Sequence, residues 1–240
     1  MAIRGLYAHL WRDFAAPMLH LHDAVLKSAG EGLIAGRVVI TDMCETLPNI
    51  ENLGQGELLR RIAPYLAAAA PAIPAAVENP AAVLIPIVAR RRPSVLFTLR
   101  PEEMSLHGGQ ICFPGGRFQH EDKDFLQTAL RETEEETGIS RDAIEIAGFL
   151  DPYGTVTGYT VIPVVGLLRE EFLLRPNPTE VDEIFEAPLT HLLDPANHER
   201  RSLERDGMTR EYYAIHYEER LIWGATAGMI VNFSKRLGER

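Results

Sequence analysis

A run of glutamates in the middle of the chain has the spacing of a carboxylate cluster on a helix. Residues 131–138 read RETEEETG. At about 100° per residue, Glu132, Glu135 and Glu136 fall on one face, because they lie three and four positions apart. Like charges at this spacing repel, and the last turns of a helix disfavour anions. A bound divalent cation would reverse that repulsion, since carboxylate oxygens are the ligands that magnesium prefers.

The alternative for any acidic run is a solvated helix face without a function. Two neighbouring features favour a site. Gly115 and Gly116 precede the helix, and glycines let the backbone approach a ligand closely. Arg131 lies four residues before Glu135, so it is placed to brace that glutamate through an ion pair. The sequence therefore predicts a metal site on the three glutamates, with the Gly116 carbonyl as a further candidate ligand.

The apolar pattern predicts the elements that would position this cluster. A helix is expected over residues 122–137, and Gly138 marks its end. Upstream, residues 81–99 contain two short apolar runs separated by a polar turn, which predicts a hairpin. Downstream, AIEIAGFLD and YTVIPVVGLL predict two strands, AIHYEERLIWG a late strand pair, and residues 225–237 a terminal helix. This order is typical of an α+β fold with a mixed sheet.

Composition limits the classes of function. The chain has 240 residues, 46% of them apolar and 24% charged, which is typical of a globular protein with one domain, extended or not. Its net charge of -10 argues against a nucleic-acid partner. No apolar run approaches the roughly 20 residues of a membrane span. Two cysteines, Cys44 and Cys112, form no disulfide framework, so a reducing, cytoplasmic setting is expected.

The first third of the chain carries no pattern that predicts chemistry. Residues 5–28 predict one or two helices, and residues 57–78 predict a helix followed by an Ala- and Pro-rich connector. Pro71 and Pro74 are expected to end that helix. The predicted organisation is an N-terminal helical extension with its connector over residues 1–78 and a main domain, which contains the acidic helix, over residues 79–240.

The acidic helix resembles the Nudix box, whose usual form is G-x5-E-x7-RE-U-x-EE-x-G-U, where U is aliphatic. Six positions match: Arg131, Glu132, Glu135, Glu136, Gly138 and Ile139. Thr133 stands where the family has an aliphatic residue. Upstream the spacing departs from the family, because the rule places the glycine at Arg117 and the first glutamate at Lys123. Gly116 is one residue early, and Asp122 and Asp124 flank the place of the missing glutamate.

A second resemblance concerns the substrate. Residues 96–116 are similar to the signature LLTxR-[SA]-x3-R-x3-G-x3-FPGG of the coenzyme A pyrophosphatase branch of that family. The matching positions are Leu96, Thr98, Arg100, Gly109 and Phe113 to Gly116. Phe97 and Pro101 depart from it, and Ser105 replaces an arginine suited to phosphate binding. The resemblance runs from about residue 81 to residue 237.

Together these resemblances imply an α/β/α sandwich that hydrolyses a nucleoside diphosphate derivative with Mg²⁺ or Mn²⁺. With coenzyme A the products would be 3′,5′-ADP and 4′-phosphopantetheine. Glu132, Glu135 and Glu136 with Gly116 would hold metal, and Arg131 would orient a glutamate. The general base stays open between Glu135 and a loop carboxylate such as Glu180 or Glu183, for which a solvated position is the alternative. The implied substrate-binding residues are Arg100, His107, Gly115 and Gly116.

Several alternatives remain open at this point. Arg100 could instead form a surface ion pair, and His107 could be a hydrogen-bonded turn residue. ADP-ribose, NADH or a dinucleoside polyphosphate could be the substrate, and Ser105 keeps that alternative open. A nucleotide-binding regulator without activity is another class, against which the three intact glutamates argue. The sequence does not decide whether the chain forms a homodimer.

Overall fold

The computed structural model describes residues 50–71, 79–103, 108–205 and 208–238. The helices predicted within residues 5–28 lie outside the described residues, and so do Ser105 and His107. The α-helices are α1 (Gln55–Ile62), α2 (Phe125–Thr137), α3 (Leu189–Leu193) and α4 (Ala225–Gly238). Short 3-10 helices span Ala63–Tyr65, Arg141–Ala143 and Pro195–Asn197. No helix in these ranges is long and apolar enough to cross a membrane.

Eight strands of the described chain form one mixed sheet. They are β1 (Pro80–Val88), β2 (Ser94–Leu99), β3 (Ile111–Cys112), β4 (Gly115–Arg117), β5 (Ile144–Phe149), β6 (Tyr153–Gly154), β7 (Thr160–Leu168) and β8 (Glu183–Pro188). The main path runs β3-β2-β1-β7-β5. The pair β1 and β7 is parallel along its whole length, whereas the other neighbours are antiparallel.

A fork between β1 and β2 positions the glycine loop. The two strands pair only near their turn, at Ile87 with Val95 and at Val88 with Ser94. Farther from the turn, residues 111–117 enter between them, because β3 pairs with the end of β2 and β4 pairs with the start of β1. The Leu84 N–H donates to the Pro114 carbonyl at 2.9 Å. The FPGG segment is therefore held in the interior of the sheet by backbone pairing on both sides.

Helices cover both faces of this sheet, as the predicted α/β/α sandwich requires. Alternate residues of β1 and β7, such as Leu84 and Ile162, pack with Ala129 of α2. The residues between them, such as Ile85 and Val165, join the larger core that includes Phe233 of α4. Because both faces of these strands are buried, their sequences are apolar at almost every position.

A second, three-stranded sheet packs its inner face against α4. It has the order β11-β10-β9, from β9 (Glu199–Arg205), β10 (Met208–Tyr217) and β11 (Arg220–Trp223). The predicted late strand pair corresponds to β10 and β11 and is confirmed. Strand β9 has no apolar alternation, so the sequence did not reveal it.

The Ala-rich segment before the sheet differs from its prediction. The helix ends at Ile62, where Ala63–Tyr65 continue as a 3-10 turn, rather than near Pro71. Ala67 forms a two-way backbone bridge with Phe149, at 3.0 and 2.9 Å, and this pairing overrides the helix preference of alanine. Leu58 and Ile62 are buried in the larger core. The predicted domain start at residue 79 stays a prediction, but residues before it contribute to the core.

Candidate active site

Helix α2 begins and ends where side chains and backbone require it. Asp124 is the N-cap, and its carboxylate accepts from the Gln127 N–H at 2.8 Å. The helix therefore starts at Phe125, slightly later than predicted. Gly138 closes it in the left-handed conformation, at φ 73°. The segment after β7 caps the far end, because Arg175 N–H donates to the Thr137 carbonyl at 2.7 Å.

The three glutamates of the predicted site face different environments. Glu136 is 3% exposed, and Glu132 is partly buried beside it. The side chain of Glu135 is 55% exposed and turns toward Arg131. Glu134, the remaining glutamate of the run, pairs instead with Arg141 at 2.9 Å. The exposure of the carboxylates in this site therefore ranges from buried to solvated.

The glycine loop, Gly115 and Gly116, directly contacts the carboxylates of Glu132 and Glu136. The Gly115 N–H donates to Oε2 of Glu136 at 3.3 Å. A Cβ at Gly116 would lie 2.4 Å from the carboxyl carbon of Glu132. Only a residue without a side chain allows this approach. Because β4 pairs with β1, the backbone of the glycine loop is held in place, and it limits where the carboxylates of Glu132 and Glu136 lie.

Arg131 connects the acidic face to the loop before the helix. Its Nε and Nη2 each donate to Asp122 at 3.0 Å, a two-point pairing. Its Nη1 donates to Glu132 at 2.7 Å and to Glu135 at 3.1 Å. The predicted ion pair with Glu135 is thus present, and it is one part of a larger network.

Comparisons with known proteins show the family of this chain. The NUDIX domain family model matches residues 78–207. The chain belongs to the Nudix family. An uncharacterized Nudix hydrolase NudL of Photorhabdus laumondii is 39% identical over 157 residues, which are 65% of this chain and 84% of that protein. The NudL of Escherichia coli O1:K1 is 39% identical over 158 residues, 66% of this chain and 82% of its own.

A solved Ap4A hydrolase binary complex from C. elegans is also similar. It superimposes with a TM-score of 0.40 and 19% identity over 46% of this chain and 80% of that chain. Membership in the Nudix family assigns the chain to the hydrolases of nucleoside diphosphate-linked substrates, which generally use divalent metal ions.

The structure shows how this Nudix box accommodates its irregular spacing. Gly116 and Asp122 keep the G-x5-acid spacing, and the additional residue lies between Asp122 and Arg131, where the helix cap forms. Asp122 is buried and also accepts from the Thr128 hydroxyl at 2.9 Å and the Gln119 N–H at 3.0 Å. The hydrogen bonds from Arg131 lower the pKa of Asp122 to about 2. Asp122 therefore stands in for the missing glutamate, a role that the sequence left open.

Burial sets the electrostatics of the inner glutamates. It raises the pKa of Glu136 to about 8, although Arg100 lies 3.8 Å away. Burial also raises the pKa of Glu132, against the opposing effect of Arg131. An ionised carboxylate that is buried beside the glycine loop has too little positive charge around it. A bound cation would supply that charge and favour the ionised form.

Glu180 lies close enough to this cluster to act on it electrostatically. Its charge raises the pKa of both Glu132 and Glu136. The turn that carries it is tied to α2, because Asn177 N–H donates to the Glu136 carbonyl at 2.9 Å. Glu183, the other loop candidate, pairs with Arg220 at 2.6 Å. The structure thus brings Glu180 to the site and engages Glu183 elsewhere.

Arg100 is also at this site rather than in a surface ion pair. Its side chain is 23% exposed, and its closest acidic partner is Glu136. Its Nε is buried and has no hydrogen-bond partner within the described residues. The partly exposed end of the guanidinium is available to an anionic group that enters beside Glu136.

The donor set fits a divalent cation. Glu132, Glu135, Glu136 and Glu180 supply carboxylate oxygens, while Arg131 is already paired with Asp122. The negative charge therefore exceeds the positive charge near the glycine loop. Across the described ranges, no three acidic, histidine or cysteine side chains are grouped closely enough to hold a metal ion as they stand. Glu135 would need to turn away from Arg131 to complete one.

Proposed function

We propose that this Nudix protein hydrolyses the diphosphate of coenzyme A or its derivatives to 3′,5′-ADP and 4′-phosphopantetheine. The observation that carries the proposal is the buried Glu136, held between the Gly115 N–H and the Arg100 guanidinium. The described residues of the segment that resembles the coenzyme A signature, 96–103 and 108–116, include most of β2, all of β3 and the first two residues of β4. These strands border the carboxylate cluster, so the signature and the Nudix box meet at one site.

The proposed ligands of Mg²⁺ or Mn²⁺ are Glu132, Glu135, Glu136 and the Gly116 carbonyl. A divalent ion bound there would neutralise the diphosphate and lower the pKa of a bound water. Arg131 positions Glu132 and Glu135 through its hydrogen bonds. This role is typical of groups that orient metal ligands without touching the metal.

We assign the general base to Glu180. Glu135 is engaged by Arg131, whereas Glu180 accepts only a long hydrogen bond of 3.4 Å, from Asn177, within the described chain. Glu180 would take the proton of the attacking water. The water oxygen would bond to one phosphorus, the bridging P–O bond would break, and the second phosphate would leave with the electron pair.

Arg100 is the proposed substrate contact. Its partly exposed guanidinium, which lies beside Glu136, suits a phosphate oxygen of the substrate. Gly115 and Gly116 allow the substrate to approach the backbone closely. His107 stays a sequence prediction, because it lies outside the described residues.

The test is release of 3′,5′-ADP from coenzyme A with Mg²⁺ or Mn²⁺. We expect Glu136→Gln to lower kcat/KM by at least about 100-fold, because the side chain keeps its size and loses its charge. Glu134→Gln is the matched control: it lies on the same helix, pairs with Arg141 and should retain activity. Equal loss in both variants would contradict the assignment of the acidic face.

The second candidate is the same chemistry on ADP-ribose, NADH or a dinucleoside polyphosphate. The observation in its favour is Ser105, which replaces the second arginine of the coenzyme A signature. Cleavage of one of these substrates with coenzyme A untouched would overturn the coenzyme A proposal and retain hydrolysis. Binding of a nucleotide without cleavage of any diphosphate would indicate a regulator.

A further inference from the structure

Strand β9 forms an open edge of the three-stranded sheet. Within the described residues it pairs only with β10, from Glu199 with Ala214 onward. The backbone groups on its outer side have no strand partner there. An open edge is a template on which another strand can add.

The outer face of this sheet exposes three large apolar side chains. Leu203 lies opposite Arg210, and Trp223 lies opposite Ala214. Because strand side chains alternate between faces, Leu203, Met208 and Trp223 share the face that points away from the buried Ile215 and Ile222. Leu203 and Met208 are each 53% exposed and Trp223 is 40% exposed. Half of the exposed large apolar side chains in the described chain are these three.

The charges of β9 are complementary to those of a second copy of itself. Its sequence is ERRSLER, with Ser202 at the centre. When two copies run antiparallel about Ser202, Arg200 of each copy lies opposite Glu204 of the other. Opposite charges that face each other across strands stabilise a sheet, whereas like charges destabilise it.

Neighbouring registers lose this complementarity. A pair centred on Arg201 would set Arg201 against Arg201 of the second copy. A pair centred between Arg201 and Ser202 would set Glu199 against Glu204. Charged residues on an edge strand commonly prevent pairing, but here the register about Ser202 matches them.

We propose that β9 is the interface of a homodimer, in which two copies pair antiparallel about Ser202 to make one six-stranded sheet. A two-fold axis through the Ser202 pair brings the same surface of each copy together. Leu203 of one copy then lies diagonal to Leu203 of the other, within reach of long side chains. The pairing joins the two outer faces, each with Leu203, Met208 and Trp223, into one continuous surface.

The existing ion pair of Arg200 does not prevent this residue from pairing with Glu204 of a second copy. Arg200 pairs with Glu211 on β10, but the two side chains are 65% and 66% exposed. An ion pair that exposed is worth little, so Arg200 can turn to a new partner. Glu211→Gln is therefore a control that removes the internal partner of Arg200 and leaves the proposed interface intact.

The first experiment measures dimerisation of the full chain by sedimentation over about a hundredfold range of concentration. We expect Arg200→Glu to weaken the dimer by about tenfold or more, because symmetry repeats each altered pair. The double variant Arg200→Glu with Glu204→Arg restores opposite charges and should restore the dimer. Glu211→Gln should dimerise like the wild type. Circular dichroism of each variant checks the fold.

The second experiment tests the register by cross-linking. Ser202→Cys should give a covalent dimer under mild oxidation, because the Cα atoms of facing residues in an antiparallel pair lie about 4.5–5.5 Å apart, which a disulfide can span. Arg200→Cys is the control, since that residue lies far from its own copy in this register. The wild type reports any background from Cys44 and Cys112. A chain that stays monomeric, or a dimer that is insensitive to Arg200→Glu and not trapped by Ser202→Cys, would overturn the proposal.

Discussion

Arg131 forms hydrogen bonds to three acidic side chains: Asp122 in the loop before the helix, and Glu132 and Glu135 of the Nudix box. A planar guanidinium with five donors can hold three carboxylates at once, which a lysine could not do in a fixed geometry. Asp122 occupies two of those donors, and Glu132 and Glu135 share a third nitrogen. Because Arg131 is anchored by a buried acid, it can orient the more exposed Glu135.

We expect Asp122→Asn to destabilise the protein by about 2–4 kcal/mol, because it leaves a partly buried guanidinium without its two-point partner. Hydrolytic activity should also fall by about 10–100-fold, since Arg131 would no longer be fixed. Urea unfolding and product release measure the two effects. Asp124→Asn is the control, because asparagine caps a helix about as well as aspartate. A loss of the same size in both variants would contradict the role given to Asp122.

The ion pair between Asp122 and Arg131 predicts that the stability of the protein depends on pH in the acid range. The folded pKa of Asp122 is about 2, below the value of 3.8 for a free side chain. Its stabilisation is complete above the unfolded pKa and is lost as the pH falls through the folded pKa. The difference in unfolding free energy between wild type and Asp122→Asn should be constant from neutral pH to about 4 and then shrink toward pH 2. A difference that grew on acidification would contradict this sign.

At the scale of elements, the end of α2 carries part of the site. Its last carbonyls accept from the Arg175 and Asn177 N–H groups, so a distant segment caps the helix. That segment continues to Glu180. The position of the proposed base therefore depends on how closely residues 175–177 approach the helix end.

We expect Gly138→Ala to destabilise the protein by about 1–3 kcal/mol, because residue 138 has a φ of 73° and its Cβ would lie 2.7 Å from Cβ of Arg175. Activity should fall as well, since the segment leading to Glu180 must shift. Thermal unfolding and the coenzyme A assay measure both. Gly154→Ala, where a Cβ meets nothing within 4 Å, should behave like the wild type. Unchanged unfolding of Gly138→Ala would show that the segment can move freely.

At the scale of the whole molecule, part of the predicted N-terminal extension packs into the core of the main sheet. Leu58 and Ile62 of α1 are buried with the strands of the main sheet, and Ala67 bridges to Phe149. Amphipathic helices derive most of their stability from such packing rather than from propensity. The described part of the extension therefore belongs to the same cooperative core.

A chain that begins at residue 79 should be less stable than one that begins at residue 50, by at least about 3 kcal/mol. The reason is that it loses the burial of Leu58 and Ile62, each worth about 1.5–3 kcal/mol. Urea unfolding of the two truncated chains measures the difference. Equal stability would support the predicted boundary at residues 78 and 79.

Local patterns in the sequence determined most of the elements and indicated the Nudix family. The spacing of Glu132, Glu135 and Glu136 placed them on one helix, and Gly138 marked its end, because both signals act within one or two turns. The hairpin β1–β2, strands β5 and β7, and helix α4 followed from runs of apolar residues. The resemblance to the Nudix box rested on the same short stretches, and the family match over residues 78–207 confirmed membership in the Nudix family.

Contacts between distant residues decided the rest. Tertiary structure selected Asp122 over Asp124 as the partner of Arg131, because only one of the two acids points inward from the helix cap. It buried Glu136 while leaving Glu135 in solvent, and it brought Glu180 to the cluster through the Asn177 contact with α2. Burial and long-range hydrogen bonds depend on the packing of strands far apart in the chain. No local pattern contains that information, and the same holds for the open edge of β9.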